Sequence, residues 1–286
     1  MPNAPDTPDI PVVAAETLPP IVLLAAGLGS RFGGVKPLAP VGPEGEALLS
    51  LALDQARRAG FTSAVIVVGP LTREAIVGAL TDPPIPVTFA DQVPRSGSTK
   101  PWGTVDALMA TELNGPLVVA NGDDLYGVAA LSDARLAAQR ADIDGAAVMF
   151  PVGRTLSGIG GVSRAEPVIG TDGLLCALTE RRGVGRVGGV ITDETGRVLA
   201  DAEPVSMNLW ALSSNAVGAL TTLGLAFIAS HNADLKAELG LPDAIGQLVG
   251  NGTLRIAVTV TDSTWHGVTF ADDVAKVRAE LMAGGW

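Results

Sequence analysis

Four short apolar runs alternate with segments of helical spacing in the first half of the chain: Ile21 to Ala26 (IVLLAA), Ser63 to Val68 (SAVIVV), Pro86 to Ala90 and Leu117 to Asn121 (LVVAN). A strand that is apolar on both faces must be covered on both sides, which a parallel sheet between two helix layers provides. Leu48, Leu49, Ala52, Leu53 and Ala56 repeat at helical spacing, with Gly60 placed to supply a left-handed C′ residue. Helical patterns at Thr72 to Leu80 and Val105 to Glu112 fill the other gaps. The alternation predicts an α/β fold: a Rossmann-like, mainly parallel mixed sheet flanked by helices, with right-handed crossovers.

The second half is more mixed. A helix over Leu131 to Ala141 and a strand over Gly145 to Phe150 are followed by strands near Leu174 to Glu180 and Val205 to Leu212. Helices near Asn215 to Ser230 and Pro242 to Val249, a strand at Leu254 to Val260 and a terminal helix from Asp272 complete the pattern. No Pro/Ser linker cuts the chain. Residues 1–19 read as a loose tail, and 20–286 as one domain with two halves, 20–150 and a more elaborate 151–286.

Composition excludes several classes. With 47% hydrophobic and 17% charged residues the chain is not a disordered polymer. A formal charge of −11 argues against a surface that neutralises nucleic-acid phosphates. The most apolar stretch, Ala216 to Ile228, has the length of a buried helix rather than a membrane span. The first twenty residues lack the basic and apolar regions of a signal peptide. The single cysteine, Cys176, suits a reducing compartment and reads as a core residue, so the expectation is a cytoplasmic protein with no nucleic-acid or membrane partner. A homo-oligomer stays open.

Glycine is in excess, 35 of 286 residues, and four glycines crowd the loop after the first strand, Gly27, Gly29, Gly33 and Gly34. That loop fails the dinucleotide fingerprint, because Phe32 stands where the third glycine belongs. It also fails the P-loop pattern, because Val35 separates Gly34 from Lys36 and Pro37 replaces the hydroxyl residue. The shared physics survives: glycines let backbone N–H groups approach a polyphosphate, and Arg31 and Lys36 place cations beside it. Asp123 and Asp124 follow the LVVAN strand at the carboxyl edge where open α/β sheets bind ligands. Adjacent carboxylates there suit a hard cation shared with phosphate, or an Asx turn.

The string LLAAGLGSRFGGVKPL resembles the signature of nucleotidyltransferases that join a nucleoside triphosphate to a sugar 1-phosphate, such as the glucose-1-phosphate thymidylyl- and uridylyltransferases. KPWGTVDAL at Lys100 to Leu108, VVANGDDLYG at Val118 to Gly127, LTERR at Leu178 to Arg182, VSMNLWAL at Val205 to Leu212 and WHGVTFADD at Trp265 to Asp273 occur in the order the family has them. The resemblance implies Mg2+ as cofactor and a nucleoside triphosphate and a sugar 1-phosphate as substrates. Arg31, Lys36 and Asp123 would be catalytic. Ala25, Ala26, Gly27, Gly29, Ser30, Gly103, Thr104, Asn121 and Gly122 would meet the nucleotide. Glu180, Arg181 and Asn208 would meet the sugar phosphate.

Asp123 would hold the metal. The second carboxylate is expected two residues after a Trp, where this chain has Gly267; Asp273 is the first substitute, Asp272 the second and Thr269 a weaker candidate. Asp272 and Asp273 also suit the opening of the terminal helix. Thr104 reads either as part of a base-reading segment or as a helix N-cap, and Asn208 as a sugar ligand or a satisfied core amide. His266 and His231 read as structural. Trp102 reads as core. The glycines at 158–161 and 183–189 fit mobile loops or hairpin turns equally. Transfer to a non-sugar phosphate, or nucleotide-sugar sensing without turnover, are the alternatives to a sugar-1-phosphate enzyme.

Overall fold

The computed structural model describes residues 18–27, 32–94, 98, 100–157, 160–268 and 271–284. Arg31, Gly29, Ser30 and Thr269 lie outside the described residues, as do residues 158–159 and most of the N-terminal tail.

Strands β1 (Ile21–Leu24), β2 (Ala64–Val68), β3 (Val87–Asp91) and β4 (Leu117–Asn121) pair in parallel in the order β3-β2-β1-β4. Helices α1 (Leu48–Arg58), α2 (Arg73–Ala79) and α3 (Thr104–Met109) connect them. A two-residue strand β5 (Asp124–Leu125) and helix α4 (Val128–Ala137) lead to β6 (Gly145–Pro151). An antiparallel arm follows, made of β7 (Val162–Ile169), β8 (Leu175–Val187), β9 (Val190–Thr192) and β10 (Val198–Leu199). Then come β11 (Pro204–Leu212), α5 (Ser214–His231), α6 (Leu241–Gly250), β12 (Ile256–Val260), β13 (His266–Gly267) and α7 (Asp273–Gly284).

Both halves of the sequence enter one eleven-stranded sheet, in which β12 pairs in parallel with β6, and β6 with the antiparallel β11. The two-sided apolar pattern acts as expected. Ile21 and Leu23 of β1 pack into one core layer with Leu49, Leu53 and Phe61, while Val22 faces the opposite layer with Trp210, Leu220 and Ile245. The long apolar helix α5 covers that second layer, and no helix among the described residues is long and apolar enough to cross a membrane. Its N-cap is Ser213, whose Oγ accepts from the Ala216 N–H at 3.2 Å. Ser213→Ala is expected to cost about 1 kcal/mol in urea-monitored unfolding.

One open alternative is resolved, one expectation is corrected, and three strands are added. β8 runs on through the glycines at 183–187 and turns to β9 at Gly188 and Gly189, both with positive φ, so that cluster is strand and hairpin. Cys176 is exposed, because β8 pairs with β7 in an arm with one face to solvent, and alternate residues point outward. Strand β7 mixes polar residues with a proline, and β9 and β10 are only three and two residues long, so none of them announces itself by pattern.

Candidate functional site

The site lies where the sheet forks. The C-terminal part of β11 pairs with β4 through Trp210, Ala211 and Leu212, whereas Ser206, nearer its start, pairs with Ala165 of β7. Between them the register of β11 shifts, and Asn208 adopts a left-handed φ of 63°. β4 and β7 therefore diverge along one strand, opening a cleft of about 490 Å³ lined by Lys36, Asp123, Asp124, Arg164, Glu180 and Asn208, among others. The carboxyl end of β4 sits at its rim, as the general rule for open α/β sheets requires.

A chain of side-chain hydrogen bonds fixes the floor. Trp210 Nε1 donates to Asn208 Oδ1 (2.9 Å), Asn208 Nδ2 to Asn121 Oδ1 (2.7 Å), and Asn121 Nδ2 to Asp124 Oδ2 (2.8 Å). The buried Tyr126 hydroxyl accepts from the Asn121 N–H and donates to the Met207 carbonyl at 2.8 Å, tying β4 to the β11 distortion. Asn208 is thus a partnered amide that also lines the cleft.

The charges above this floor are concentrated. Lys36 follows the glycine-rich loop at the start of a 3₁₀ turn (Lys36–Leu38), and its Nζ lies 2.6 Å from Asp123 Oδ2. Burial pulls the Lys36 ammonium down, but the fields of Asp123, Asp124 and Asp273 more than offset it and leave the pKa above the ordinary lysine value. Asp124 is buried; burial first, and then the neighbouring Asp123 charge, push its carboxyl up to about 6. A group whose pKa is higher folded than unfolded stabilises the fold below its unfolded value of ~3.9 and loses that stabilisation as pH rises through its folded value. Metal-free protein is therefore expected to lose stability between about pH 4 and 7 on this account, and Asp124→Asn to flatten that slope in urea titrations.

Gly267, where a carboxylate is expected from the resemblance, pairs in register with Asp124 across β13 and β5. A Cβ at 267 would stand inside contact distance of the Trp265 ring and 2.6 Å from Asp124 Oδ1. The space for a side chain there is already occupied by Asp124 and the indole. The carboxylates at the end of β4 are thus Asp123 and Asp124, while Glu180 and Asp243 line the cleft from other elements. Hard oxygens on adjacent carboxylates, one of them raised by burial and then by its neighbour's charge, fit a magnesium ion that shares its remaining positions with phosphate and water. Among the described residues no group of three His, Cys, Asp or Glu side chains is placed to hold a metal by itself. Asp273 is buried in the first turn of α7 and borders a second cleft with Trp265 and Gly267.

The other predicted residues are placed as follows. Ala25, Ala26 and Gly27 leave the end of β1, beside Gly122, whose N–H donates to the Leu24 carbonyl. Gly103 has φ 104°, and a Cβ there would collide with the Leu239 backbone, so glycine is required. Gly103, not Thr104, caps α3; the Thr104 hydroxyl instead accepts from the Leu241 N–H that opens α6, at 2.7 Å. Trp102 is half-buried, edge-on to Phe227. His266 meets Glu280 at 3.0 Å, and His231 stacks on Phe227. Glu180 lines the cleft, but its neighbour Arg181 is held by Glu166 at 2.7 Å, with Asp193 at 3.7 Å. Sequence reasoning missed Arg164, a cation on β7 that borders the cleft; a lone arginine in a polar strand carries no motif signal.

A family model described as the MobA-like NTP transferase domain matches residues 21–228. No curated relative matches the sequence. Among solved structures, HddC from Yersinia pseudotuberculosis is similar with a TM-score of 0.59 at 15% identity, covering 91% of this chain and 98% of that one. A UDP-glucose pyrophosphorylase complexed with UDP-glucose gives 0.62 at 14% identity, covering 93% and 98%. The inositol-1-phosphate CTP transferase from T. maritima gives 0.61 at 13% identity, covering 94% and 98%.

Proposed function

The chain belongs to the MobA-like NTP transferase family, and from that membership we propose that it joins a nucleoside triphosphate to a sugar 1-phosphate, releasing pyrophosphate. The observation that carries the reading is the fork itself, where Lys36, Asp123 and Asp124 meet at the end of β4 opposite the polar groups Glu180 and Asn208. Sugar-phosphate and cyclitol-phosphate chemistry in the names of two structural neighbours supports an acceptor of that kind.

In this reading a phosphate oxygen of the acceptor attacks the α-phosphorus in line, the new P–O bond forms as the bond to the β-phosphate oxygen breaks, and pyrophosphate leaves. The acceptor is already an anion, so no general base is needed. Asp123 and Asp124 would hold Mg2+, which supplies charge neutralisation on the triphosphate when bound. Lys36, kept protonated by its acidic neighbours, would face the phosphates, and the resemblance alone assigns Arg31 to them as a second cation. Glu180 and Asn208 offer an acceptor and a remaining amide N–H to sugar hydroxyls. Holding two anions at reacting distance is worth several kcal/mol of the barrier, on the order of 7–11 for ideal alignment, so positioning plus charge suffices without a covalent intermediate. Purified protein with magnesium, a panel of nucleoside triphosphates and a panel of sugar 1-phosphates should release pyrophosphate only when both substrates are present. Release without an acceptor, or none with any pair, would refute the reading.

A further inference from the structure

The resemblance places Arg181 at the acceptor phosphate, but its guanidinium is committed to Glu166 and Asp193. Glu166 is further engaged by Arg197, which also meets Glu203 at 2.8 Å, so this network knits the β7–β11 arm together. Directly across the β7–β8 ladder from Arg181 stands Arg164. Its three nitrogens donate to neutral acceptors: Nε to Thr155 Oγ1 at 3.0 Å, one terminal nitrogen to the Ser163 carbonyl at 2.7 Å, and the other to the Thr155 carbonyl. It forms no ion pair with any described carboxylate.

Of five guanidinium N–H groups, three are used, and two remain. The group also lies over the Trp265 ring, 5.4 Å from its centroid. These contacts fix its direction without neutralising its charge. Burial pulls its pKa down to about 10, so it stays cationic at neutral pH although half-buried. A half-buried cation that has no ion-pair partner is stabilised when an anion arrives. Asp124, the acid whose field reaches it, is already shared with Lys36 and accepts from Asn121.

We propose that Arg164, and not Arg181, binds the phosphate of the acceptor, a phosphomonoester, using its two free N–H groups. The assignment rests on the nucleotidyltransferase reading above. It follows from position: Arg164 borders the same cleft as Lys36 but on the β7 bank, beside Glu180 and Ser163. A planar fork matches a phosphate's two oxygens, which a lysine cannot do.

The test is ligand-dependent thermal melting of the full chain with magnesium. The probes are the common nucleoside triphosphates and, with and without a saturating non-hydrolysable triphosphate, glucose 1-, galactose 1-, mannose 1- and myo-inositol 1-phosphate. Wild-type protein is expected to be stabilised by at least one probe of each class. Arg164→Gln should raise the phosphomonoester midpoint about 30-fold, in line with the loss of charged hydrogen bonds, with the triphosphate midpoint within threefold of wild type. Arg164→Lys, which keeps the stem and the charge should Gln misfold, should raise it about tenfold. Arg181→Gln should leave both midpoints within threefold. The assignment is overturned if both Arg164 variants keep the phosphomonoester midpoint, if Arg181→Gln loses it instead, or if the wild type answers triphosphates but no phosphomonoester. An absence of any triphosphate response would sink the nucleotidyltransferase reading itself, and the assignment with it.

Discussion

Lys36→Gln is expected to lower kcat/KM for nucleotidyl transfer about 10³-fold, the scale of losing one preorganised charge aimed at developing transition-state charge. Asp123→Asn should do the same, because its carboxylate is the one exposed to both Lys36 and the phosphates at the rim of β4. The two residues are partly exposed, 17% and 26%, so their ion pair contributes ~1 kcal/mol or less to folding. Melting temperatures should therefore hardly move while turnover collapses. The double variant should be little worse than either single one, since residues that act on one charge do not add. Steady-state kinetics with circular dichroism melts would check this; a tenfold or smaller loss in either variant would place the chemistry elsewhere.

Gly267→Ala is expected to cost about 2–3 kcal/mol, the range for forcing a methyl into a packed site. The added Cβ would push the Trp265 ring off its seat or displace the Asp124 carboxylate, and either movement disturbs the floor of the cleft. For a chain of this size the midpoint should fall by ~3–5 °C. Gly267→Asp, which installs the carboxylate that the sequence resemblance leads one to expect, should be at least as destabilising and should not raise activity. Calorimetric melts and activity assays of both variants decide the matter: a Gly267→Asp protein more stable or more active than wild type would show that Asp124 does not take that position.

Much of the parallel half was legible because its strands are apolar on two faces, and nothing but a covered sheet accommodates Ile21 to Leu24 or Ala64 to Val68. The arm was not, because β7 mixes Ser163, Arg164, Glu166 and Pro167, and half-exposed antiparallel strands tolerate such sequences. In the site, Lys36, Asp123 and Asn208 were legible as polar residues at the ends of, or inside, apolar runs. The partnering of Arg181 was hidden, since Glu166 and Asp193 are distant in sequence and meet it only through strand pairing. Gly267 read as a gap in a motif; the register of β13 against β5 turns it into room for Asp124. The glycine-rich loop itself was read from the sequence alone, as Gly29 to Arg31 fall outside the described residues.

The most direct measurement is an isotope-traced reaction. A sugar 1-phosphate carrying ¹⁸O in its three non-bridging phosphate oxygens is mixed with a nucleoside triphosphate and magnesium, and the products are weighed by mass spectrometry. Attack by the acceptor oxygen at the α-phosphorus predicts a sugar nucleotide that keeps all of the label and pyrophosphate that carries none. Label in pyrophosphate, or pyrophosphate formed in the absence of the sugar phosphate, would contradict the account.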